Sequence, residues 1–188
     1  MPHTLKDPLD KRTYEVGSCN RGEYRNDRQE ERTRKSDLLE DLSDIFGGGA
    51  YSKLFRNVRE KQSLCYYCSA SAVFKKGYMI VDSGVDEKNA EQLIDAVNNE
   101  LNEIKKGNFD DSDIANSKKA IREILMSYYD SASTLDLWYC RNFEKEHIVS
   151  PMEFADKIIS ITKEEIISAA NCYKLHTIYK LLPEGSEG

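Results

Sequence analysis

Cys65 and Cys68, in the stretch "LCYYCSASAVF", form a C-x-x-C pair of thiols in this 188-residue chain. Such a pair serves thiol redox chemistry or metal ligation. The run around it reads as a β-strand, however, and strand positions three apart point to opposite faces of a sheet. Separate packing of two free thiols is therefore the expected role. With Cys19, Cys140 and Cys172 the cysteines number five, an odd set unlike the even frameworks of small secreted domains. Zinc needs three or four ligands brought together, as in H-E-x-x-H or H-x-x-E-H, and neither pattern occurs. The histidines are His3, His147 and His176. Glu144 and His147 make one isolated E-x-x-H pair, which reads better as a surface histidine near a helix C-terminus than as a metal ligand. Gly47, Gly48 and Gly49 precede a helix-like segment, and helix N-termini bind anions. The run follows a helix rather than a strand, though, and lacks G-x-x-x-x-G-K-[ST], so a tight turn between two helices that pack close to the sheet is the better account of it. No G-x-S-x-G context is present either. Residue types and spacings alone display no catalytic apparatus and call for no cofactor.

The totals narrow the class. A net charge of −6 and a pI near 5.2 offer no general attraction to nucleic acid or acidic membranes. No apolar run is long enough to span a bilayer, and "MPHTLKDPLDKR" has no export-type apolar region, so a soluble, cytoplasmic protein is expected. With 39% hydrophobic residues, the length suits one domain with a substantial core.

The elements that must position any site follow from periodicity and punctuation. Residues 1–37 read as weakly organised, with one strand candidate at "RTYEVG". Arg21, Arg25, Arg28, Arg32 and Lys35 then recur at helical spacing among Asp27, Glu30 and Glu31, as a solvated helix face or a linker. From Ser36 a folded domain is expected over 38–188. It opens with a helix through Leu38, Leu39, Leu42 and Ile45 that stops at the glycines, and a second helix covers Tyr51 to Lys61. "SLCYYCSASAVF" and "YMIVDSGV" flank "KKG" as an antiparallel hairpin. Ala90, Leu93, Ile94, Val97, Leu101 and Ile104 stripe an amphipathic helix that ends at Gly107. Asp111 or Ser112 should cap the next, whose apolar positions are Ile114, Ile121, Ile124, Leu125 and Tyr128. Further helices are expected over Leu135 to Phe143, after Ser150-Pro151, and from a capping box of Thr162 with Glu165 to near Asn171. "HTIYKLL" ends the chain's regular structure as a strand. This order predicts an α+β fold, an antiparallel sheet with helices packed on one face.

One longer stretch says more. "FGGGAYSKLFRNVREKQSLCYY", Phe46 to Tyr67, resembles the helix–glycine–helix–strand segment of the insulinase, pitrilysin and mitochondrial processing peptidase family of zinc metallopeptidases. In that family L-G-G-G, S-[RK]-L-F, V-R-E-K and L-x-Y occur in this order before a hairpin. The likeness continues through "GYMIVDSGVDEKNAEQLIDAVNNELNEIKKGNFDDSDIANSKKAI" and covers roughly Leu38 to Leu182. "TIYKLLPEG" and the overall pattern look closest to the zinc-less subunits of bacterial pairs. The resemblance implies α+β domains working in twos, one carrying zinc on H-x-x-E-H and the other presenting an arginine and a tyrosine to the substrate. By the seven-residue spacing of that pair, the matching positions are Arg59 and Tyr66. Zinc is then expected only in the partner, and the chain alone should not be an active peptidase. Residues 1–37 depart from the family's usual opening, which implies a truncated or divergent copy, lacking one edge strand.

The leading expectation is thus a non-catalytic domain that holds an extended peptide, with Arg59 and Tyr66 in contact, and completes the active site of an H-x-x-E-H partner in peptide or protein processing. The alternative is a structural or interaction domain that forms a homodimer and holds no substrate.

Overall fold

The computed structural model describes residues 11–18, 29–73, 78–143 and 148–180, with side chains from residue 38 onward. Strand β1 (Lys11–Ser18) leads to helix α1 (Gln29–Gly47), a π-helix (Leu54–Lys61), and strands β2 (Tyr67–Val73) and β3 (Tyr78–Gly84). Then follow α2 (Ala90–Lys105), α3 (Asp111–Ser127), α4 (Ala132–Asn142), α5 (Pro151–Ile159), α6 (Lys163–Asn171) and strand β4 (Thr177–Lys180). Short 3₁₀ turns at Glu87–Asn89 and Tyr128–Asp130 lead into α2 and α4.

The four strands form one sheet in the order β2-β3-β1-β4, every pairing antiparallel. The strand candidate "RTYEVG" is the heart of β1, an interior strand in which Tyr14 faces Val81 of β3 on one side and Ile178 of β4 on the other. The edges of the described sheet are therefore β2 and β4. In the β2–β3 hairpin Val73 pairs with Tyr78 and Tyr67 with Gly84, and the "KKG" turn lies outside the described residues. Cys68 and Ala70 are buried on β2 while Ser69 and Ser71 are exposed; on β3 Met79, Val81 and Ser83 are buried. This alternation marks one covered face and one open face. The fold is α+β with helices against the covered face, as the sequence pattern predicts.

Glycine sets the distance between α1 and the sheet. A β-carbon on Gly47 would stand 2.4 Å from the backbone nitrogen of Ala70 and 2.7 Å from its Cβ. Only a residue without one lets the helix end that close to β2. Leu42, Ile45 and Phe46 of α1 are then fully buried beside Leu54 and Val58 of the π-helix and Leu93, Leu101 and Ile104 of α2. Each such side chain contributes roughly 1.5–3 kcal/mol relative to staying in water.

Several boundaries differ from the sequence reading. Helix α1 begins at Gln29, not Ser36, so the polar stretch before Leu38 is helical from that point; Arg21, Arg25 and Arg28 lie outside the described residues. The N-cap of α3 is Asp110, not Asp111 or Ser112. Its carboxylate accepts from the Asp113 backbone N–H at 2.9 Å, and Asp113 answers from the Asp110 N–H at 3.1 Å, a reciprocal box built from two aspartates. Ile124, expected on the apolar face of α3, is 53% exposed. Gly107 ends α2 with φ +80, and Ser150-Pro151 and Thr162 with Glu165 open α5 and α6 as their patterns imply. Glu144, His147, His3 and Cys19 fall outside the described residues.

Candidate functional site

The end of the π-helix and the segment leading into β2 wall an open cleft of about 290 Å³, lined by Arg59, Glu60, Ser63, Leu64, Cys65, Tyr66, Asp86 and Asn89. Arg59 and Tyr66, the pair carried over by resemblance, thus sit on the same cleft. Helices with π-type bonding are rare, and short stretches of them concentrate at functional positions. Here the apolar stripe of Leu54 and Val58 pins one side of the helix to the core and leaves Arg59 on the other. The Arg59 guanidinium stacks 4.5 Å above the Phe55 ring, stands 3.8 Å from the Glu60 carboxylate and is 38% exposed. Stacking orients the planar group without consuming its N–H donors.

After the helix the chain turns at Ser63, whose φ of 51 lies in the left-handed region that non-glycine residues seldom enter. The turn delivers Cys65 and Tyr66 to the cleft. The Tyr66 backbone N–H bonds to the Gly84 carbonyl at 2.8 Å, which docks the residue beside β3 just before β2 begins. Its ring is 59% exposed and its hydroxyl donates to Asp86 Oδ1 at 2.8 Å. That hydrogen bond to a carboxylate, with the carboxylate's charge, holds the phenol pKa above its ordinary value, so Tyr66 stays a neutral donor.

The cleft's helix is fastened from behind by charge. Lys53 reaches Asp113 at 2.9 Å, Arg56 makes a short ion pair with the same carboxylate, and Asn57 donates to Glu100 of α2 at 2.7 Å. Burial works against the charge on Asp113, but Lys53, the Asp110 N–H and Arg56 together outweigh it and hold its pKa below the usual carboxylate value. Sequence reasoning missed Lys53, Arg56, Asp86 and Asp113, because their partners lie far away along the chain and no spacing rule links them.

The cysteines overturn one expectation. Cys65 precedes β2 rather than lying within it, so strand alternation does not separate it from Cys68. The two thiols are close enough for each to shift the other's ionisation, and the Ser83 side chain acts on both. Cys68, helped by Ser83 and the Arg59 charge against the effect of burial, lowers the Cys65 pKa to about 7. Cys68 is raised in turn. Among the described residues no three His, Cys, Asp or Glu side chains gather where a metal ion would be held, and no helix is long and apolar enough to cross a membrane.

An antiparallel sheet with helices on one face and a glycine-ended helix against it is the architecture expected of an insulinase-like peptidase domain, and the sequence carries no H-x-x-E-H. The family model for the peptidase M16 inactive domain matches residues 22–121, and the chain belongs to that family. A Bacillus subtilis relative, named probable inactive metalloprotease YmfF, is 35% identical over 150 residues, which span 80% of this chain and 35% of that protein. Among solved structures, a conserved protein from Enterococcus faecalis V583 superposes with a TM-score of 0.76 at 26% identity, covering 99% of this chain and 41% of that one. A peptidase M16 inactive domain from Pseudomonas fluorescens shares the fold with a TM-score of 0.62 at 17% identity, covering 87% of this chain and 38% of its own. The chain thus spans well under half the length of these relatives.

Proposed function

We propose that this M16 inactive domain is the non-zinc half of a processing peptidase, holding an extended peptide in the Arg59–Tyr66 cleft opposite an H-x-x-E-H half. The observation that carries the reading is the shared cleft: a stacked, part-exposed guanidinium and a neutral phenol front the same open space. In peptide hydrolysis the partner's zinc would activate water and polarise the carbonyl. Charge then builds on the carbonyl oxygen, and Arg59 and Tyr66 are donors of the kind that stabilise it. To serve there the Tyr66 hydroxyl exchanges its acceptor, Asp86, for the substrate.

Fluorescence anisotropy of a labelled unfolded peptide tests the holding step. The expected result is binding to the two halves together, weakened at least tenfold by Arg59→Ala with Tyr66→Phe. Equal binding by wild type and double variant would overturn the assignment. A second reading, a homodimer without substrate, draws on β4, an edge strand whose four residues are all exposed. A concentration-independent dimer in sedimentation that ignores peptide would favour it.

A further inference from the structure

The geometry points to a second, separate chemistry on the same wall: we propose that Cys65 and Cys68 are a reversible dithiol–disulfide site, with Cys65 as the attacking sulfur and Cys68 as the resolving one. This inference does not depend on the peptide-holding reading.

The two thiols, three positions apart, act on each other's ionisation, and they differ in access. Cys65 is half-buried and lines the open cleft, while Cys68 is 6% exposed and lies under α1 on the covered face of β2. An incoming reagent therefore meets Cys65 first, and Cys68 waits behind it. A cysteine kept only for packing sits in apolar surroundings and is inert. Cys65 instead is acted on by Cys68 and the Ser83 hydroxyl, which donates onward to the Tyr67 carbonyl at 2.6 Å. Charges around the pair come from three sides: Arg59 and Glu60 from the π-helix, Asp86 beyond β3, and Asp82 of β3, which acts on Cys68. Arg59 favours thiolate at the outer position and Asp82 disfavours it at the inner one, so the charge is directed to the accessible sulfur. Cys140 and Cys172, both exposed, occupy α4 and the C-cap of α6, and serve as internal references.

The co-reactant is a low-molecular-weight disulfide, RSSR. The Cys65 thiolate attacks one of its sulfurs, the S–S bond breaks, and RS⁻ leaves and takes up the proton Cys65 gave up. Cys68 then loses its proton and attacks the Cys65 sulfur, closing the protein disulfide and expelling the second RSH. The chain is oxidised by two electrons and RSSR is reduced to two thiols. Tyr66 lies inside the closed C-x-x-C loop, so the bond would restrain the residue that fronts the cleft.

The test uses the whole chain and oxidised glutathione at pH 7, read by intact mass and tryptic mapping. Expected is a product that has lost two hydrogens within the peptide from Gln62 to Lys75, restored by dithiothreitol. Cys68→Ser should stop at one glutathionyl group on Cys65, and iodoacetamide should alkylate Cys65 about tenfold faster than Cys140 or Cys172. Arg59→Ala should slow that alkylation. Should Cys68→Ser fail to fold, the wild-type arms decide alone. Alkylation of Cys65 no faster than of the two reference cysteines, or a wild-type glutathionyl adduct that never closes onto Cys68, overturns the proposal.

Discussion

Helix α3 meets two neighbours about one turn apart, and the two seams handle buried charge differently. At its first turn Asp113 is clamped between Lys53 and Arg56, so a nearly inaccessible carboxylate is paired and stays ionised. At Ser117 the hydroxyl reaches Asp41 at 3.2 Å and Asp44 at 2.5 Å, while Tyr51 donates to both oxygens of Asp44 at 2.9 and 2.7 Å. Asp41 is fully buried, and its Oδ2 has no hydrogen-bond partner among the described residues. Burial, opposed by Lys118 and Ser117, raises the Asp41 pKa from 3.8 to about 6, and burial raises Asp44 too. The ionic seam holds the cleft's helix in place; the hydroxyl seam joins α1 to the bundle. A buried carboxylate paired directly with two cations titrates below its ordinary range, whereas one held by hydroxyls with only the Lys118 charge to help titrates above it.

Opposite pH dependences follow. Asp113 binds its proton less tightly in the folded chain than in the unfolded one. Its stabilisation is therefore present above the ordinary carboxylate pKa and is lost as pH falls through the lower folded value. Asp41 binds its proton more tightly when folded, so stability declines as pH rises from 3.8 to about 6 and stays lower above that. Together these two groups place their joint maximum of stability near the ordinary aspartate pKa of 3.8.

Breaking the ionic seam should have the largest effect. Asp113→Ala strands Lys53, whose side chain is only 12% exposed, along with Arg56. The expected cost is about 3 kcal/mol, which thermal unfolding at pH 7 would register as a fall of roughly 6–12 °C. Asp41→Asn sharpens the contrast with the opposite sign. It should stabilise the chain by about 2 kcal/mol at pH 8 and by little at pH 4, where Asp41 is already protonated in the fold; urea unfolding at the two pH values checks this. The smallest effect is expected for Tyr51→Phe. Removing the phenol donor from Asp44 should cost about 1.5 kcal/mol at pH 8, with a smaller loss at pH 4.

The apolar skeleton was legible in the residues because it depends on local periodicity. The stripe of α2, the hairpin strands and the caps of α5 and α6 all follow from neighbours within a few positions. The glycine expectation also held at Gly47, which needs its missing side chain to approach β2. The α3 cap lies one residue before Asp111 and two before Ser112 because "FDDSD" offers several equivalent oxygens, and only the reciprocal bond to Asp113 selects Asp110. Cys65 escapes the alternation rule because the apolar run begins before the strand does, two residues ahead of its start at Tyr67. The resemblance supplied Arg59 and Tyr66. The groups that seat them, Asp113 with Lys53 and Asp86 with Tyr66, depend on pairs 60 and 20 positions apart, which a chain read from end to end does not connect.

The cleavage rate of an unfolded peptide by this chain mixed with an H-x-x-E-H half tests the central claim most directly. Arg59→Ala with Tyr66→Phe should lower kcat about a hundredfold while the zinc content of the partner half stays constant. An unchanged rate would contradict the role given to the cleft.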